Sequence, residues 1–297
     1  MPYADSDGAR LYYEEAGKGT PIVFVHGFAD DLTSWEPQMR FFSRRYRCVA
    51  YNARGYPPSD VPKARARYSQ AIATDDVANV MKHLGMAKAH VIGCSMGGYA
   101  TVHFGLRYPR MALSLTAIGV GYGSDPDKRE QFLEDTEVMA RRFDELGTAE
   151  AVKPYQIGPS RVQLQNKDPR GFAHFCAEFG KHSALGSANT LRGVQAKRPT
   201  VYQLERGLSQ LRVPLHVVSG DEDNNCLEPG LFMKRVCPSA WLSVVPNTGH
   251  AVNVEEPDLF NRLTAEFLAQ VDSGRWRPRD PRSLTKTTMQ GSVSRKR

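Results

Sequence analysis

The chain predicts an α/β fold, a mostly parallel sheet with helices on both faces. Three observations predict it. Strand-like apolar runs alternate with helix-patterned stretches along most of the 297 residues. Several of the runs are continuously apolar, as in Ile22-Val23-Phe24-Val25, which suits strands buried on both faces. Apolar residues make up 41% of the chain, enough for a substantial core.

Residues 10–14 and 21–25 open the sheet, and residues 46–51 form the next strand. Thr74 is expected to cap a helix carried by Val77, Val80, Met81 and Leu84 and ended at Gly85. The strand at 88–92 leads into a helix over 99–108, which stops before Pro109, as the restricted residue ahead of a proline requires. Another strand covers 113–118. Its exit, Gly119-Val120-Gly121-Tyr122-Gly123, lacks the last glycine of a dinucleotide loop and reads as a hinge.

Beyond the hinge the pattern changes. From residue 124 to 210 strand-like runs vanish and charged helical stretches dominate. The expected organisation is a core over 1–123 and 211–272, a helical insertion over 124–210, and a flexible basic tail over 273–297. The insertion holds 13 basic and 12 acidic residues, so it sets up no strong field for an anionic substrate. Its aromatics, Phe132, Phe143, Tyr155, Phe172, Phe175, Phe179 and Tyr202, could line an acyl pocket or pack helix against helix. His174 and His182 read as surface or packing residues.

The net charge of +7 belongs to the tail. Residues 274–297 carry eight basic residues against the single acid Asp280, and the remainder balances at 31 and 31. The tail has few apolar residues with which to order itself, and reads as a solvated extension rather than a nucleic-acid or lipid contact. Five cysteines, Cys48, Cys94, Cys176, Cys226 and Cys237, follow no regular spacing, which argues against a disulfide framework and a zinc site. No basic-then-apolar leader opens the sequence and no apolar run approaches bilayer length, so a cytoplasmic protein without a membrane span is expected.

The chemistry is read from Gly93-Cys94-Ser95-Met96-Gly97, a G-x-S-x-G pattern between a strand and a helix. A serine hydroxyl becomes a useful nucleophile when a tight turn presents it to a base and to N–H groups that can hold an oxyanion. That turn needs small residues two before and two after the serine, and Gly93 and Gly97 supply them. His250, in a loop between an apolar run at 241–245 and a helix carried by Leu259, Phe260, Leu263, Phe267 and Leu268, has no packing reason to be there. It is the candidate base. A buried strand at 215–219 runs into the acidic turn Gly220-Asp221-Glu222-Asp223, giving the chain order serine, acid, histidine. His26-Gly27-Phe28 ends an apolar strand. Gly27 lets the Phe28 N–H face a ligand, while His26 serves the turn. The Met96 N–H, just after the nucleophile, is the second oxyanion donor. Cys94 reads as a small buried filler.

Taken together, His26-Gly27-Phe28, Asn52-Ala53-Arg54-Gly55-Tyr56, the turn around Ser95, Gly220-Asp221-Glu222-Asp223 and Thr248-Gly249-His250 make the chain resemble the α/β-hydrolase family over about residues 8–271. Asn52 and Pro57 depart from a family pattern that is mainly structural. The resemblance implies a helical cap for the insertion. It places the triad acid at the end of Gly-x-x-Asp, hence at Asp223, with Asp221 and Asp125 as the other candidates. It implies a serine hydrolase that cleaves carboxylic esters of small molecules by an acyl-enzyme route through Ser95, His250 and Asp223, with Phe28 and Met96 as oxyanion donors and no cofactor or metal. Serine at 95 points away from the aspartyl-ester route of epoxide hydrolases and dehalogenases. Lactonases, carbon–carbon bond hydrolases and cofactor-free perhydrolases use the same triad, and a small-molecule receptor can retain it.

Overall fold

A computed structural model describes residues 2–284. Eight strands form one sheet: β1 (Tyr3–Ser6), β2 (Ala9–Ala16), β3 (Pro21–Val25), β4 (Arg47–Tyr51), β5 (Ala89–Cys94), β6 (Ala112–Ile118), β7 (Leu215–Gly220) and β8 (Ala240–Val245). Their order is β1-β2-β4-β3-β5-β6-β7-β8. β1 pairs with β2 and β2 with β4 antiparallel, and every other pairing is parallel.

The period-two geometry of strands explains the continuous apolar runs. In β3, Val23 and Val25 enter one core, with Val49, Val91, Tyr99 and Val102. Ile22 and Phe24 enter the other, with Trp35, Phe42, Phe260 and Phe267. Both faces are therefore covered, the first by helices Gln70–His83 and Met96–Arg107, the second by Glu36–Phe42 and Pro257–Asp272. A run polar at every second residue would put polar groups into one of the two cores.

Between β6 and β7 the described chain is helical, from the short turn Pro126–Lys128 through Arg129–Leu146, Pro169–Phe179 and Ala184–Thr190 to Glu205–Gln210. Side chains tie both ends of this insertion to the core. Ser124 Oγ accepts from the Val201 N–H at 3.0 Å and shares a 2.7 Å hydrogen bond with the Tyr99 hydroxyl. Arg129 donates to the Gly123 and Ala196 carbonyls, and Arg198 donates to the Tyr122 carbonyl. A third apolar cluster joins insertion to core: Phe28, Tyr56 and Met96 pack with Phe143, Phe175, Phe179 and Leu191.

Two expectations are corrected. The helix expected to start at Thr74 starts at Gln70, capped by Ser69, whose Oγ accepts from the Ile72 N–H at 3.1 Å. Thr74 lies inside it and turns its hydroxyl back to the Gln70 carbonyl at 2.7 Å, the usual use of a mid-helix threonine. The start of the expected tail is docked. Trp276 packs against the second core, and the Arg279 guanidinium donates to the Lys234 and Arg235 carbonyls at 2.9 and 2.8 Å. The rest of the expected tail lies outside the described residues. Among the described residues no helix is long and apolar enough to cross a membrane.

Candidate active site

Ser95 sits in a one-residue turn between β5 and the following helix. It has φ 55° and ψ −114°, a left-handed conformation that a non-glycine residue adopts only when its surroundings impose it. β5 ends at Cys94 and the helix begins at Met96, so a single residue reverses the chain. A Cβ on Gly93 would run into the Gly97 carbonyl, and one on Gly97 into the Val25 carbonyl. The Ser95 N–H donates to the Ile118 carbonyl at 2.7 Å, and its own carbonyl starts the helix by accepting from Tyr99. The side chain remains partly exposed while its neighbours are buried.

His250 Nδ1 lies 2.7 Å from Asp223 Oδ2, and both residues are buried. Burial alone would raise the Asp223 carboxyl. The charge and hydrogen bond of His250 outweigh it, with help from the Cys226 thiol, and hold the group below the usual carboxylate range. Cys226 Sγ is 3.9 Å from His250 Nδ1, and burial pushes that thiol well up. The Tyr122 ring packs edge-on against the imidazole with centroids 5.0 Å apart. Glu255 accepts from the N–H groups of Gly249 and Ala251 at 2.6 and 3.1 Å, gripping the backbone on either side of the histidine.

The other acids expected as alternatives do other work. Asp221 is exposed and accepts from the Thr248 N–H at 3.1 Å, a bond that lowers its carboxyl and closes the turn. Asp125 accepts from the Asp127 N–H and pairs with Lys128.

Ser95 and His250 meet through two consecutive residues of β6 and its exit. Ile118 accepts the Ser95 N–H, and Gly119 lies against the imidazole. Among the described residues the Ser95 hydroxyl makes no hydrogen bond, to His250 or elsewhere. Such contacts tighten when substrate is bound.

The Phe28 and Met96 N–H groups have no acceptor among the described residues, although both residues are buried. Buried backbone N–H groups rarely lack partners, so the pair is suited to receive a ligand oxygen. Tyr56 links them: its hydroxyl donates to the Phe28 carbonyl at 2.9 Å and lies 3.9 Å from Met96 Sδ. His26 fixes the same turn. Its Nε2 accepts from the Ala53 N–H at 3.0 Å, leaving Nδ1–H to donate to the Gly27 carbonyl at 2.7 Å. Burial lowers its pKa, which keeps the ring neutral in that tautomer. Asn52 takes up its departure from the family pattern with two bonds, accepting from the Leu32 N–H and donating to the Pro57 carbonyl.

Phe143, Tyr155 and Phe179 surround the Phe28 ring at 6.0–6.3 Å. Phe132 instead carries the Arg129 guanidinium, and Tyr202 packs on Phe232. His182 is buried between Tyr56 and Phe179, and burial lowers it to about 4; His174 is exposed. The one group of potential metal ligands among the described residues is Asp223, Cys226 and His250. Two of its three donors already face each other in the 2.7 Å hydrogen bond, which a metal would have to break.

Sequence reasoning passed over Glu255, Cys226, Tyr122 and the buried pair Asp30–Arg161. Only Glu255 had a local signal, a carboxylate five residues past the candidate histidine.

The comparisons with known proteins agree with this architecture. Residues 20–160 match the family model described as the alpha/beta hydrolase fold. The chain is 25% identical, over 267 residues, to the 2-hydroxy-6-oxononadienedioate/2-hydroxy-6-oxononatrienedioate hydrolase of Comamonas testosteroni, covering 88% of this chain and 91% of that one. A thermophilic esterase from Thermogutta terrifontis superposes with a TM-score of 0.80 at 25% identity, covering 91% of this chain and 98% of the other. The enol-lactonase of Burkholderia xenovorans gives 0.80 at 23% identity, covering 90% and 100%. The eight-stranded sheet, the strand–serine–helix turn and these likenesses together show that the chain has the α/β-hydrolase fold.

Proposed function

We propose that the protein is a serine hydrolase that cleaves carboxylic esters of small molecules through an acyl-enzyme. The observation that carries the reading is the buried 2.7 Å bond between His250 and Asp223, in a loop that packs on Gly119 beside the Ser95 turn. Asp223 holds Nδ1–H and so leaves Nε2 free as the base. Nε2 takes the Ser95 hydroxyl proton as Oγ attacks the ester carbon. The Phe28 and Met96 N–H groups stabilise the oxyanion. Collapse of the tetrahedral species expels the alcohol, which takes its proton from the imidazolium. Water, deprotonated by the same Nε2, then attacks the acyl-enzyme, and Ser95 leaves with the returned proton while the acid departs. The insertion acts as a cap: Phe143, Tyr155 and Phe179 close over Phe28 and shield the chemistry from bulk water.

The test is a panel of p-nitrophenyl esters of rising chain length, simple lactones and a ring-cleavage dienoate. The reading predicts turnover of the esters that depends on Ser95. Turnover of the lactones or the dienoate alone would move the activity to that class, and turnover of none would indicate a binding protein.

A further inference from the structure

One buried ion pair beside the serine is incompletely used by the protein itself. Arg161, on the insertion, is 2% exposed, and its Nη2 donates to both oxygens of Asp30 at 3.0 and 3.1 Å. Its guanidinium lies 4.5 Å over the Phe175 ring. Nε and Nη1 are buried and have no partner among the described residues. A buried guanidinium fully engaged in a structural clamp spreads its donors over several acceptors, whereas this one offers a single nitrogen to its carboxylate.

The pair is close to the nucleophile. A Cβ built on Gly27 would stand 2.7 Å from Asp30 Oδ2 and 3.5 Å from Ser95 Cβ. Arg161 also lines a cavity of about 590 Å³ between core and insertion, whose wall includes Ala29 and Ala251, the chain neighbours of Phe28 and His250. Arg161 therefore stands close to the Ser95 turn, at the wall of a space large enough to admit a short acyl chain.

Charge decides what they can receive. Asp30 already neutralises Arg161, and the Glu255 carboxylate adds to the negative field on it. A substrate carboxylate would leave excess negative charge buried, which is costly. A carbonyl oxygen accepts the same N–H groups and changes no charge balance. The other charged residues that line the cavity are Asp31, Glu36, Asp168, Glu178 and Asp258 against Arg40 and Arg44, so the wall offers an anion no net positive field.

We propose that Arg161 is a substrate-binding residue that holds a second, uncharged carbonyl oxygen, a ketone or amide, on the acyl chain of the ester. The acyl side is assigned because Asp30 reaches Ser95 across Gly27, on the segment that supplies the Phe28 N–H, and the acyl group is what stays on Ser95 after the alcohol departs. The proposal rests on the ester-hydrolase reading for its chemistry.

The test compares p-nitrophenyl 4-oxopentanoate and 5-oxohexanoate with the pentanoate, the hexanoate and the anionic hemisuccinate. At least one oxo-ester should exceed its alkyl counterpart about 10-fold in kcat/KM, mainly through KM, as a hydrogen bond from a charged donor allows, and the hemisuccinate should gain nothing. Arg161→Gln, and the double variant Asp30→Asn/Arg161→Gln in case the single change disturbs folding, should abolish the oxo preference, and Arg161→Lys should restore part of it. Equal rates for oxo and alkyl esters, a preference that survives both variants, or a preference for the hemisuccinate would overturn the proposal. Binding of methyl 5-oxohexanoate against methyl hexanoate to Ser95→Ala, followed by ligand-observed NMR, needs no turnover. If no ester is hydrolysed, the catalytic reading fails, while tighter binding of the oxo compound that is lost in Ser95→Ala/Arg161→Gln would still support Arg161; equal binding would refute it.

Discussion

Gly119 lies directly against the His250 ring: a Cβ on Gly119 would stand 3.0 Å from Cε1 and 3.1 Å from Nδ1. The preceding residue, Ile118, holds the Ser95 N–H. One dipeptide at the end of β6 thus sets both the Ser95 turn and the seat of the His250 ring. Gly119→Ala should cost about 1–2 kcal/mol of stability from its φ of 58°. By pushing the imidazole aside it should also lower kcat about 100-fold. Thermal melts and ester kinetics measure the two effects separately, and an alanine variant with unchanged kcat would show that the ring tolerates displacement.

The triad acid is tested by three amide substitutions at matched folding. Asp223→Asn should lower turnover by about four orders of magnitude, because the histidine loses the acceptor that fixes its tautomer. Asp221→Asn and Asp125→Asn should stay near wild type, since their partners are backbone N–H groups and a lysine on the surface. An active Asp223→Asn enzyme would remove that residue from the mechanism.

Legibility in the sequence followed the range of the interactions. The Ser95 turn was readable because its steric demands fall on residues two positions away, and His250 because a loop histidine has no packing role. Asp221 and Asp223 are chemically equal in the sequence, and only the fold turns one outward and buries the other against His250. Arg161 was invisible because its partner Asp30 lies 131 positions away. The start of the helix at Gln70 was missed because Ser69 and Thr74 are both able to cap, and the choice depends on which hydroxyl faces a free N–H. The docking of the first residues of the expected tail was missed because its composition hides Trp276 and Arg279, two side chains that make specific contacts with the core.

The docked segment after the last long helix should add stability and nothing to chemistry. Arg279→Ala removes donors from carbonyls near the end of helix Asn224–Val236 and should cost about 1 kcal/mol. Differential scanning calorimetry should show a Tm lower by a few degrees, with ester turnover unchanged. An unaltered Tm would mean that these contacts contribute no net stability.

Stability should fall on mild acidification. Burial lowers the imidazoles of His26, His103, His182 and His216, the last three to about 4. Unfolded, each would titrate near 6.5. The folded state therefore binds fewer protons below that pH, so their contribution is complete above about 6.5 and is lost as pH falls toward the folded values. Tm should drop steadily from pH 7 to pH 5, and His216→Gln should make the drop shallower. A Tm that is flat or rises over that interval would contradict the neutral, buried assignment.

The central claim is that Ser95 is an activated nucleophile, and covalent labelling tests it most directly. A fluorophosphonate probe should modify the protein at one residue, identified by peptide mass spectrometry as Ser95, because an unactivated serine does not displace its leaving group readily. Labelling should vanish in Ser95→Ala and slow sharply in His250→Ala. Modification at a different serine, or no modification of a protein that melts cooperatively, would contradict the account.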